Sequence, residues 1–527
     1  MLMLALLLAA VPLVADARAS CVDACKPRVS QCRAECAGQL GKERHACIKT
    51  CRDRAGCPAV GAPIRTLAYV QTECRTSADG FITARQSLRI RRGDCEPVTV
   101  VEFQSAEPQP DPAGLCRIYG VNRGGYSAVI ATPLQRLGVS PDGSAVVFEV
   151  TDDHLAFPVI TAAPEEEGIW FVRADGSGLR RLGPASRDPM YRILGDGGPI
   201  GFLLYLPLSP DGRLLVFTDL GPGPSGEDAV QVVTLDVVSG RRTQLTHFPP
   251  VALPCSGTSI TPNQCFPVYF PQFVDAHTVL FQTISAPDSM HPEGVISTFT
   301  VRDDGTRLRP LPQPVALSGN RVIPTFQLSL TGRGVITLQL EALTNVPGLG
   351  PGTRIQEAHV QEAFFVSPRD LIQLTNFGRY ETYALFLGAD RRRAFFIASA
   401  DPLGRNPAGD CQLFSIDTVG GHLRQLTRFT QSEPSQFGCG GAPPPGCSIG
   451  DAYQDPVTRT VLLNSNCDPF GTNPYSSQAF AMHPDGTGLR QLTAARGFVE
   501  EPDGAVSTEE IGQFVSSGWF VPPARRR

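Results

Sequence analysis

Eight histidines, sixteen cysteines and a series of Asp-Gly pairs are the residues of this 527-residue chain that could do chemistry. The histidines stand at 45, 154, 247, 277, 291, 359, 422 and 483, and no His-Glu-x2-His pair occurs among them. His154, His247 and His291 fall in connections deduced below to share one face, where they could converge, and they are the candidate metal positions. Three of eight in such connections is what an even scatter gives, so the expectation is no metal and no cofactor. The Asp-Gly pairs lack the Asp-x-Asp-x-Asp-Gly spacing and distal glutamate of a calcium loop, and ordinary turn chemistry accounts for them. Asp152-Asp153 and Glu165-Glu166-Glu167 read as solvated charge rather than an acid and base pair. The only lysines are Lys26, Lys42 and Lys49, so nothing after them offers a Schiff-base amine or a phosphate-loop lysine. No Gly-x-Ser-x-Gly elbow occurs, and the stretch after 493 is too short for the companion domain of a serine peptidase. No catalytic residue is assigned.

The cysteines are more informative. Cys32 and Cys36, then Cys47 and Cys51, form two Cys-x3-Cys pairs. Helical positions i and i+4 share a face, so two antiparallel helices turning near Gly41 set Cys32 against Cys51 and Cys36 against Cys47, with Cys25 to Cys57 as a third rung. This resembles the twin Cys-x3-Cys hairpin of small disulfide-stapled proteins. It is too small to hold together by apolar burial alone. Cys21, Cys74, Cys95 and Cys116 allow three pairings that spacing does not separate. An even count fits an oxidising compartment. So does the apolar run Leu2 to Ala15 followed by Ala17-Arg18-Ala19, read as a signal peptide over 1–19 with export to the periplasm or medium. Arg18 stands where a lipoprotein site carries a small aliphatic residue, which disfavours an anchor at Cys21. No later stretch is apolar for the length a membrane span needs.

What positions the remaining residues is a repeat. The chain has 52 glycines and 47 prolines, well above average usage, so many short elements are joined by many turns. Ser140-Pro141-Asp142-Gly143 and Ser209-Pro210-Asp211-Gly212 each sit between apolar strands as hairpin turns. A second hairpin follows in each unit and closes on Leu182, Leu245, Leu311, Leu374, Leu426 and Leu492, spaced 52 to 66 residues apart. Six units of four short antiparallel strands predict a six-bladed all-β propeller, because one such blade cannot bury both faces without neighbours. The domain reading is a signal peptide at 1–19, a cysteine-rich helical hairpin at 20–57, a linker or small β segment at 58–116 and the propeller at 117–527, with clear repeats over 139–493. Residues 117–138 read as a half blade closing the ring, and a seventh blade results if Phe498 to Val515 pairs with it.

The Ser-Pro-Asp-Gly turn and the Asp-Gly-x-x-Leu-(Arg or Gln)-x-Leu-Thr ending, best at 207–246 and 479–493, resemble the TolB-type propeller repeat. That resemblance implies periplasmic protein interaction as the nearest analogue. The cysteine hairpin standing where TolB proteins carry a separate N-terminal domain argues against a place in the Tol envelope complex. Similar oligogalacturonate lyases bind a metal with histidines drawn from separate blades, which gives the alternative, a metal-assisted polysaccharide lyase or hydrolase. Within a blade, both tight turns fall on one face and the long connections on the other. The long connections include 247–270 and 428–450, the candidate binding loops, with Cys255 to Cys265 and Cys439 to Cys447 as local staples and Cys411 to Cys467 tying neighbours. The expectation is an exported, non-catalytic module binding a protein or polysaccharide through these loops. The net charge of −5 and pI near 6.0 argue against nucleic acid.

Overall fold

The computed structural model divides into two units, Met1–Val60 and Gly61–Arg527. It describes 31–32, 34–39, 41, 43–44, 47–48 and 51 of the first unit. In the second it describes 62–111, 114, 116, 133–151, 160–188, 205–250, 268–283, 297–311, 321–323, 334–340, 360–366, 371–377, 382–430, 449–471 and 476–517. In the first unit, Cys32 and Cys36 sit one helical turn apart, the Cys36 amide donating to the Cys32 carbonyl at 3.1 Å. The expected rungs Cys32–Cys51 and Cys36–Cys47 are both formed, with Cα separations of 5.6 and 6.0 Å. The Cys25–Cys57 rung and the 1–19 segment lie outside the described residues.

The second unit is a propeller whose blades follow the repeat. Blade 1 runs Leu134–Val139, Ala145–Val150, Gly168–Arg173 and Arg180–Gly183. Blade 2 carries Leu214–Pro222, Asp228–Asp236 and Arg242–Gln244, with its inner strand reduced to bridges at Tyr205 and Leu208. Blade 3 has Val268–Asp275, Thr278–Thr283, Ser297–Arg302 and Arg309–Pro310; blade 4 has Arg321–Ile323, Gly334–Leu340, Val360–Val366 and Leu371–Gln373. Blade 5 has Thr382–Leu387, Arg393–Ala398, Gln412–Asp417 and Arg424–Gln425, and blade 6 Ile449–Gln454, Val461–Ser465, Gln478–Met482 and Arg490–Gln491. Among the described residues, every ladder in the blades is antiparallel and each strand pairs with its sequence neighbour. The second strands are nearly continuous apolar runs, Ala145–Val150 being buried at every position, because a propeller buries both faces of a blade against the next ones.

Beside the six repeat blades the ring contains a composite sheet. It takes Val506–Ser516 from the end of the chain and Thr66–Thr76, Phe81–Arg92 and Val98–Gln104 from its beginning, with Gly497–Glu500 flanking the C-terminal strand. Thr66–Thr76 pairs antiparallel with Val506–Ser516 over almost its whole length. The sheet shares one apolar core with blade 1, through Leu137 and Phe148, and with blade 6, through Leu462 and Ala481. The seam is clasped by Arg65, whose guanidinium holds both Asp455 carboxylate oxygens at 2.9 Å on blade 6 and the Pro141 carbonyl at 2.5 Å on blade 1. The C-terminal strand therefore has another partner than expected: it pairs with 66–76, while 117–132 lie outside the described residues and Leu134–Val139 serves as the inner strand of blade 1. Of the segment read as a linker or small β segment, Thr66–Thr76, Phe81–Arg92 and Val98–Gln104 are strands of this sheet, and Cys74 pairs with Cys116, one of the pairings left open.

Candidate binding face

On the turn face the Ser-Pro-Asp-Gly sequence folds as its chemistry demands. Ser140 donates its hydroxyl to Asp142 at 2.6 Å and accepts the Ala145 amide at 2.9 Å, while Gly143 adopts a φ of 76° that a side chain resists. Ser209 and Asp211 repeat the arrangement. In the other turn family, Asp175, Asp304 and Asp485 each accept the hydroxyl and then the amide of the residue two places on. Those bonds hold the three carboxyls below their ordinary value. The Asp-Gly pairs are thus turn formers, and no group of three metal-ligating residues occurs among the described residues.

At the opposite face, the roots of the long connections share a side-chain clip that the sequence reading missed. In blade 2, the Gln231 side-chain carbonyl accepts from the Thr246 hydroxyl at 2.9 Å and from the Phe248 amide at 2.8 Å, and its amide donates to the Phe248 carbonyl at 2.9 Å. The Thr246 oxygen in turn accepts the Val232 amide at 2.9 Å. Gln412, Thr427 and Phe429 repeat this in blade 5, and Gln478, Thr493 and Ala495 in blade 6. Blade 4 substitutes a buried carboxylate: Glu362 accepts Thr375 at 2.5 Å and the Phe377 amide at 2.6 Å. The Leu-Thr ending read from the sequence is half of this clip. Its other half is the glutamine fifteen residues earlier, a spacing identical in three blades. A second glutamine, the one before Leu-Thr, ties down the threonine carbonyl at Gln244, Gln373, Gln425 and Gln491.

Blade 1 departs from the pattern because Gly168 and Gly183 occupy the clip positions, the carbonyl of Gly183 lying where a Cβ on Gly168 would stand. Its root is held by charge instead. Arg136, 0% exposed, pairs with Glu149, 1% exposed, and lies 5.5 Å from the Phe217 ring centre. The second Glu149 oxygen accepts the Ser186 amide at 2.6 Å, and Asp219 accepts the Arg187 amide at 2.7 Å and pairs with Arg242. These ions anchor the start of the 183–206 connection against blade 2. The 399–411 connection is held by Asn406, buried, whose amide donates to the Ala400 and Asp410 carbonyls at 3.1 and 2.8 Å.

Of the candidate ligands only His247 is described. It is exposed, with Nδ1 3.0 Å from the Gln244 amide nitrogen and 3.5 Å from the Pro222 carbonyl, which seats it on its own blade. His154 and His291 lie outside the described residues, as do 251–267 and 431–448 within the candidate loops, with Cys255, Cys265, Cys439 and Cys447. Cys95, Cys411 and Cys467 are each disulfide-bonded.

No family model and no curated protein matches the chain. Among solved structures, it is similar to an oligogalacturonate lyase from Vibrio parahaemolyticus at 10% identity and TM-score 0.38, covering 77% of this chain and 96% of that one. It is similar to a putative TolB from Agrobacterium tumefaciens at 10% identity and TM-score 0.29, covering 84% and 98%. Prolyl oligopeptidase B from Galerina marginata matches at 10% identity and TM-score 0.37, covering 83% of this chain and 54% of the enzyme, so the chain spans about half of that enzyme's length. The β-propeller domain of the Trilobed protease from Pyrococcus furiosus matches at 9% identity and TM-score 0.37, covering 75% of this chain and 98% of that one.

Proposed function

We propose that this chain is an exported binding module of the periplasm or medium that captures a protein or polysaccharide through its long-connection face without chemical turnover. The reading is carried by the asymmetry between the faces. One face is finished by tight turns that satisfy their own polar groups. On the other, long connections leave from roots locked by the Gln-Thr clips and the Arg136–Glu149 pair. Variable segments on a rigid base are the arrangement recognition surfaces use. The disulfides favour the oxidising compartment. Replacing 251–267 or 431–448, which spares the clip residues Phe248 and Phe429 and the strands starting at Val268 and Ile449, by short Gly-Ser segments with the cysteines kept should abolish capture of a partner from envelope or medium extracts while the melting temperature holds. Collapse of the fold instead would make those segments structural. A stoichiometric metal that is lost on chelation together with glycan cleavage would replace binding by the lyase reading, with His154, His247 and His291 as the ligands to mutate.

A further inference from the structure

The turn face carries apolar tips. Val419, Val238 and Val457 are the most exposed large hydrophobic residues among those described, at 77%, 74% and 68%, and all three stand at turns of this face. Leu179 and Leu308 are exposed on it too. Scattered apolar residues alone mean little, but these have company. Arg180 follows Leu179, Arg307 and Arg309 flank Leu308, and Arg241, Arg424 and Arg459 lie within five residues of the three valines. All six arginines are exposed, and among the described residues the guanidinium groups of Arg241, Arg307, Arg309, Arg424 and Arg459 make no hydrogen bond or ion pair.

The acids of this face are differently placed. Asp142, Asp175, Asp211, Asp304, Asp390 and Asp485 each turn an oxygen onto amides or hydroxyls of their own turn. Asp236 is taken by Arg213, Asp303 by His277, Asp417 by Arg393 and His422, and Asp94 by Arg490. Most of these acids stay exposed, but each is bonded within its own turn or to a neighbouring base, whereas the arginines beside the apolar tips are exposed and, Arg180 apart, unpaired among the described residues. All these tips belong to turns at one end of a ring, so they meet a plane together. We propose that the turn face docks on a bilayer surface bearing anionic headgroups, the arginines meeting phosphate oxygens and the valines entering the headgroup layer. Shallow apolar tips with a cationic surround fit an interfacial contact, not a span. This is independent of what the opposite face captures, and it would leave that face directed away from the membrane.

The full chain is floated with vesicles of phosphatidylcholine alone and with phosphatidylglycerol added. Binding is expected only with phosphatidylglycerol and should fall as salt rises. The triple variant R241Q/R309Q/R424Q should weaken it by at least about tenfold, and V238S/V419S/V457S should weaken it severalfold, both with the melting temperature of the parent. Equal binding to neutral vesicles, indifference to both triples, or no binding at low salt overturns the proposal. So does capture by a soluble anionic polysaccharide without vesicle binding, which would make the surface a glycan contact.

Discussion

Asp236 lies where the third strand of blade 2 gives way to its turn. Burial by itself pushes its carboxyl up, but the Ser239 and Val238 amides and the Arg213 guanidinium outweigh it and bring the value to about 2. A carboxyl lowered on folding contributes stability that is complete above its unfolded value, 3.8, and is lost as pH falls through its folded value. The contribution at neutral pH is roughly 2 kcal/mol. Asp236→Asn should therefore lower the urea-unfolding free energy at pH 7 by about that much, and the gap to the parent should close as pH falls from about 4 to about 2. A gap that persists at pH 2 would mean lost turn geometry, not lost charge.

At the scale of strands, the Gln-Thr clip joins the start of a blade's third strand to the exit of its fourth. Gln231→Leu strips partners from the Thr246 hydroxyl and from the amide and carbonyl of Phe248, all buried groups. Leaving such groups unpaired costs about 1–3 kcal/mol, and amide exchange at Val232 and Phe248 should quicken while that in blade 6 does not. Uniform quickening would show that the clip has no local role. The threonine of this pair was legible because it recurs beside a leucine at the end of every clipped strand. The glutamine was not, because a buried amide in a mostly apolar strand has no periodic signature and its partner lies on another strand. The hairpin rungs at 32–51 and 36–47 were legible because helical spacing alone sets them. The segment 58–116 was legible as a possible small β segment, but not as part of the ring, for the opposite reason. Its turns lack the Ser-Pro-Asp-Gly sequence, and Cys74 meets Thr508, far away in the chain.

For the whole molecule, six repeat blades were readable from period and turn chemistry, whereas ring closure depended on a pairing between the two ends that no local pattern announces. Deleting residues from 497 onward removes the strand that covers Thr66–Thr76. A long, largely buried edge then faces solvent, and such edges recruit other chains. The deletion should convert a single cooperative melt into a broad one and produce aggregates visible by light scattering at micromolar concentration. A monodisperse protein with an unchanged melt would show that the composite sheet is not needed for closure.

The same sheet sets a clock on the newborn polypeptide. Its early strands must wait for the two at 497–500 and 506–516, since Leu67 pairs with Ser516. Encounters across so long a span are slow, and the waiting hydrophobic surface is open to misassembly throughout synthesis. The Cys74–Cys116 bond can form while the remainder of the chain is still being made, because both sulfurs belong to the early part. Oxidation thus offers the half-built blade a way to stay in shape until the tail arrives, where Thr508 donates to the Cys116 carbonyl at 3.1 Å.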